Sequence, residues 1–208
     1  MATDWPTIHA ERRALAVDLS GLTEEQWSTP SLLPRWSVLD VLAHMTVTAK
    51  TTPPGFFFRL AKSGFKFHQM ADANIAEERR GGAAATLADF RAQESATKHP
   101  PGPGETWLGE TIVHSEDIRR PLGIAHTYPS DALTSIANFY KGSDLLIGSK
   151  SRIAGLTLRA SDVDWSTGEG PEVSGPLLSL VLAMTGRKDA LRDLSGEGMP
   201  LLESRDFS

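Results

Sequence analysis

The sequence predicts a mainly α protein closed by a small α+β segment, and three observations carry that prediction. Apolar residues recur at three- and four-residue intervals through most of positions 1–148. Pro and Gly cluster where each run stops, and after Gly148 the pattern changes to short alternating stretches among glycines. The expected division is a helical unit over 1–148 and a small α+β segment over 149–208.

Trp5, Ile8, Leu15 and Leu19, preceded by Asp4 and Pro6, predict a first helix over about 5–19 that Ser20-Gly21 stops. Thr23-Glu24-Glu25-Gln26 has the form of a capping box and predicts one helical turn, after which Pro30 and Pro34 impose an extended connection. Ser37 is a natural N-cap with Asp40 at the third helical position, and Val38, Val41, Leu42 and Met45 form a stripe beside which His44 projects. Pro53-Pro54 ends that helix. Residues 55–80 read as one further helix, with Phe56-Phe57-Phe58 at its start and Glu77-Glu78-Arg79-Arg80 before Gly81-Gly82 at its end. The three rings are assigned to helix packing or, if exposed, to a groove or partner surface.

Ala83 to Thr97 predicts a shorter helix that the proline-rich run His99 to Gly104 cannot continue. A fifth helix over about Glu105 to Arg120 sets Glu110, His114 and Asp117 along one edge, with Leu108, Ile112 and Val113 for burial, until Pro121 and Gly123. Ser130 caps a helix from Asp131 to about Leu146 that buries Leu133, Ile136, Ala137 and Tyr140. Leu156 to Ala160 alternates like a strand and pairs with Val163 to Ser166 across a turn at Ser161-Asp162, and Gly168 to Gly170 breaks the chain. Pro176 to Met184 is an apolar helix, Lys188 to Leu194 a last one, and the tail from Met199 to Ser208 is expected to be weakly ordered.

Composition narrows the function classes. The 208 residues are 40% hydrophobic, enough for one good core or for a domain with a smaller appendage. A net charge of -5 with scattered Lys and Arg favours neither nucleic acid nor an anionic membrane. No apolar run approaches the roughly 20 residues of a membrane span, and Met1 to Glu11 lacks the layout of a signal peptide, so a cytoplasmic location is expected. Zero cysteines excludes disulfides, thiolate-bound zinc and a cysteine nucleophile, so any thiol chemistry needs an external thiol. Gly168-Glu169-Gly170-Pro171 lacks the context of a phosphate loop, and no Gly-x-Ser-x-Gly elbow is present.

The residues that carry chemistry are His44, Glu110 and His114. Side chains four apart on a helix share a face, so Glu110 and His114 can approach one ion while His44 closes from a neighbouring helix. Two imidazoles and a carboxylate leave coordination positions open, as catalytic metal sites do. The plainer readings are a core histidine bonded to a carbonyl for His44, and for Glu110 and His114 a solvent-facing pair worth about 0.2–0.5 kcal/mol. Apolar flanks argue for burial, and a buried carboxylate requires a cation or a hydrogen-bonded imidazole beside it.

Asp117 is either an acceptor that orients His114 or a solvated aspartate, and it stays outside the ligand set. His9, His68, His99 and His126 lack a partner at ligand spacing. Arg35 either binds a cofactor carboxylate or caps its loop, while Arg119 and Arg120 complement the negative end of their helix. No residue is assigned a catalytic or cofactor-binding role.

The string Trp36-Ser37-Val38-x-Asp40-Val41-Leu42-Ala43-His44, the later run from Gly109 through Glu110 and His114 to Gly123, and the closing Gly168-x-Gly170-Pro171 with Leu194-Ser195-Gly196 resemble the actinobacterial mycothiol-dependent maleylpyruvate isomerase family, within the DinB-like metalloenzymes. The resemblance implies a DinB-like up-and-down four-helix bundle holding a divalent metal through His44, Glu110 and His114. It also implies mycothiol, a small-molecule thiol, as co-substrate. In the short C-terminal segment no arginine aligns with the one that the family's C-terminal domain contributes to catalysis.

Three functions follow as expectations. The first is a thiol-dependent S-transferase or isomerase acting on an electrophilic small molecule, with zinc as the default ion and nickel or iron as the other candidates. The second is a hydrolase in which the metal activates water and Asp117 or Glu116 serves as base. The third is a non-catalytic metal-binding or interaction bundle. A homodimer is left open.

Overall fold

The computed structural model describes residues 3–145 and 147–207, and its contacts divide the chain into two compact units, Met1–His126 and Thr127–Ser208. The protein is mainly helical with one three-stranded sheet.

In the first unit, α1 (Trp5–Asp18) starts at Asp4, whose side chain accepts from the Thr7 amide, and tightens into a 3-10 turn at Leu19–Gly21. The single turn α2 (Glu24–Trp27) carries the expected capping box between Thr23 and Gln26. Helix α3 (Val38–Lys50) carries another, Ser37 with Asp40, so both helix starts sit where the side-chain chemistry placed them. Pro53 and Pro54 do not merely end α3. They occupy the first turn of α4 (Pro53–Lys62), where a missing amide hydrogen costs nothing.

The single helix expected over 55–80 is two. It breaks at Ser63 to Lys66, where Gly64 and Phe65 both take left-handed backbone (φ 66° and 62°), and resumes as α5 (Phe67–Glu78). Helix α6 (Gly82–Ala92) follows and ends short of the expected Thr97. Helix α7 (Gly104–Arg119) completes the unit. α1 packs against α6 and α7, and α3 packs against the same two, which closes a ring of four long helices, and α5 packs on α3 as well. Leu15, Leu19, Val41, Leu42, Met45, Phe90 and Ile118 fill one core between them. Arg119 does not serve the end of its helix as expected. It is fully buried and binds Asp18 at 2.7 Å, while Arg120 pairs with Glu116 one turn back at 3.2 Å.

The second unit begins with α8 (Ser130–Tyr140), in which Ser130 is the first helical residue and makes no capping bond with its side chain. The helix ends six residues earlier than expected, and the expected end at Leu146 lies outside the described residues, as do Met1, Ala2 and Ser208. Helix α8 packs on α10 (Leu177–Met184), which is why the boundary falls after His126 rather than after Gly148, where the helical pattern fades. A short α9 (Ser149–Arg152) leads into the sheet.

The sheet order is β2-β1-β3, with β1 (Thr157–Ala160) antiparallel to β2 (Ser166–Gly168) and parallel to β3 (Glu172–Gly175). β3 was not foreseen. The link between the outer strands crosses the start of β1 so closely that a Cβ at Gly168 or Gly170 would collide with the carbonyls of Leu156 or Gly155, and both residues have positive φ. Lys188–Asp193 forms a 3-10 helix, and the tail expected to be weakly ordered contains α11 (Met199–Glu203) with Leu202 buried. Among the described residues no helix is long and apolar enough to cross a membrane.

Candidate metal centre

The capping box that starts α3 fixes the rotation of that helix, and with it the direction of His44 two turns in. Trp36, just before the cap, lays its ring against the His44 imidazole with centroids 5.0 Å apart. On the neighbouring α7, Glu110 and His114 stand one turn apart, and the His44 and His114 rings meet edge to face at 4.9 Å. One ligand atom from each of His44, Glu110 and His114 lies within 4.8 Å of the other two. Bonds of about 2.0–2.2 Å to a tetrahedral ion would space such atoms about 3.4 Å apart, so small side-chain rotations close the set.

The polar surroundings are specific. Asp117 is fully buried and its Oδ2 accepts a 2.8 Å hydrogen bond from His114 Nδ1, so of its two sequence readings the orienting one matches the structure. With Nδ1 donating, the lone pair of Nε2 is left for a cation. Glu110 Oε1 is removed from the surface and has no hydrogen-bond partner among the described residues. Burial pushes the Glu110 carboxyl above the ordinary carboxylate range, and His114, the Arg12 guanidinium and a hydrogen bond from the Thr48 side chain pull it back only in part. An oxygen held this way lacks a positive partner at bonding distance.

Arg12 and Thr48 were missed in the sequence. Arg12 is buried in α1, donates to the carbonyls of Ala96 (2.9 Å) and Gln93 (3.4 Å), and has its pKa lowered by burial while the charge of Glu110 opposes that shift. A signal was present: Arg12 interrupts the stripe Ile8, Leu15, Leu19, and Thr48 follows His44 by one turn. The remaining candidates lie elsewhere. Arg35 binds Asp72 at 2.7 Å, His126 binds Glu11 at 2.7 Å, and the rings of His9 and His99 pack against Trp5.

Residues 8–99 match the family model described as the mycothiol maleylpyruvate isomerase N-terminal domain. That stretch includes His44 and stops before Glu110 and His114. No curated protein matches the chain by sequence. Two solved structures resemble it: a histidine-to-alanine mutant of the mycothiol-dependent maleylpyruvate isomerase, at 16% identity and a TM-score of 0.62, and another crystal structure of that isomerase, at 17% and 0.53. Each alignment covers 95% of this chain and 96% of the other. At such identities the likeness establishes the fold, a DinB-like bundle with a small C-terminal α+β part.

Proposed function

From the resemblance to the mycothiol-dependent maleylpyruvate isomerases, we propose that this chain is a divalent-metal enzyme in which His44, Glu110 and His114 hold the cation. A small thiol, mycothiol in the first instance, would be activated there for transfer to an electrophilic small molecule or for its isomerisation. The observation that carries the reading is the convergence of two imidazoles on a buried carboxylate oxygen that has no hydrogen-bond partner among the described residues. Unpaired burial of that kind is costly, and a divalent cation relieves it.

The donor set of two nitrogens and one oxygen fits zinc and leaves room for an exogenous ligand; nickel and iron accept the same donors. A cation bound there supplies Lewis-acid activation, lowering the pKa of a thiol that reaches its open position. The protein's own residues set the stage. Asp117 holds the His114 proton on Nδ1, and Trp36 restricts the His44 ring. The hydrolase alternative relied on Asp117 or Glu116 as base, but Asp117 is engaged by His114 and Glu116 by Arg120. That favours the thiol, and the absence of cysteine leaves an external thiol as the sulfur source.

The test is metal analysis followed by titration with mycothiol. Purified protein should carry close to one divalent ion per chain, lost in His44→Ala and in His114→Ala. Mycothiol added to the cobalt-substituted protein should produce a sulfur-to-cobalt charge-transfer band. Metal binding without that band would retain the centre and exclude the thiol.

A further inference from the structure

We propose that the stretch from α4 to the start of α5 is a docking surface for an anionic lipid bilayer, independent of the metal centre. Residues 53–67 contain five phenylalanines, three cations and no acid. No residue of α4 is buried, although the helix is ten residues long and segregates its apolar and cationic faces. Phe57, Phe58, Phe65 and Phe67 are 56%, 72%, 76% and 38% exposed, and Phe56 links the patch by ring contacts to Phe57 at 5.5 Å and Phe67 at 6.4 Å. The most exposed ring belongs to Phe65, which sits at φ 62° beside Gly64. A bulky residue held in left-handed backbone is strained, and such strain concentrates at functional positions.

The charges name the occupant. Arg59, Lys62 and Lys66 form no ion pair among the described residues, and Arg59 donates its hydrogen bond to the neutral Asn74 amide oxygen, at 3.2 Å. Of the nearby acids, Asp72 is bound by Arg35, Glu78 and Asp89 are bound by Lys50, and Glu77 lines the groove next to Arg59. Acids farther away than about 8–10 Å are screened at physiological salt, so the overall charge of the chain does not cancel the local field.

A second copy fits less well. The four rings expose on the order of 400–500 Å², against the roughly 800 Å² per partner that a stable dimer buries. A two-fold interface would also set these three cations against themselves. A bilayer interface rich in anionic headgroups takes aromatic rings at the acyl boundary and cations at the phosphates.

The experiment is flotation of the full chain with vesicles of phosphatidylcholine alone and of phosphatidylcholine mixed with phosphatidylglycerol. Binding is expected to the mixed vesicles only, and to fall with salt. Lys62→Gln with Lys66→Gln should weaken it roughly 25-fold, about fivefold per cation. Phe58→Ser with Phe65→Asn should weaken it at least about tenfold, and asparagine accepts the backbone of position 65, so the fold persists by circular dichroism. No flotation with the mixed vesicles overturns the proposal, as does flotation that both double variants leave intact. A dimer in sedimentation velocity that Phe58→Ser dissolves, without vesicle binding, overturns it in favour of a second copy.

Discussion

An imidazole meets a cation through one nitrogen, and what binds the other nitrogen decides where the first one points. At His114 that role falls to Asp117, buried three residues on and bonded at 2.8 Å. Asp117→Ala should therefore weaken metal binding about 10- to 100-fold in a competition with a chelating dye, without the complete loss expected for His114→Ala. Unchanged affinity would remove Asp117 from the centre. The convergence of these groups was legible in part: Glu110, His114 and Asp117 are related by helical spacing along α7, and His44 stands beside the apolar stripe of α3. Arg12 was less so: its place in the stripe Ile8, Leu15, Leu19 marks it for the buried face, but its partners, the carbonyls of Gln93 and Ala96 and the charge of Glu110, are remote in the chain.

Among the elements, those with local chemistry at their ends were readable: the capping boxes at Thr23 and Ser37 placed α2 and α3. The break between α4 and α5 escaped because the apolar residues on both sides keep a helical rhythm, and only Gly64 marks the turn. β3 escaped because its four residues pair in parallel with β1, a contact that no neighbouring residue signals.

The helices of the bundle are also cross-linked by charge. Lys50, at the end of α3, binds Glu78 of α5 at 2.6 Å and Asp89 of α6 at 2.9 Å. Burial lowers the Lys50 pKa, but the bonds to Glu78 and Asp89 more than offset this and raise it; Asp89 is pulled down, chiefly by the Lys50 hydrogen bond. The lowered carboxylate contributes stability above its ordinary pKa and loses it as pH falls through the lowered value. The raised lysine contributes below its ordinary pKa and loses its share as pH rises through the raised one. Lys50→Met should therefore reduce the urea midpoint by a constant amount near neutrality, and the difference from the parent should vanish in strong acid. A difference that grows on acidification would contradict this account.

At the scale of the whole molecule, the three candidate ligand residues, Asp117, Arg12 and Thr48 all belong to the first compact unit. A fragment of residues 1–126 should thus fold and still take up one ion, by circular dichroism and metal titration; failure of the folded fragment to bind would mean that the second unit supplies a ligand. Chain-wide averages were the weakest guide, since a net charge of -5 concealed an acid-free stretch of cations and phenylalanines. Arg12 has a last consequence. It is anchored to two carbonyls beyond α6, and its charge acts on Glu110. Stripping a bound ion with a chelator would therefore leave Glu110 facing the more distant charge of Arg12 rather than an empty apolar interior, and the bundle should survive the loss with a lower melting temperature, ready to be recharged, where a zinc finger would unravel.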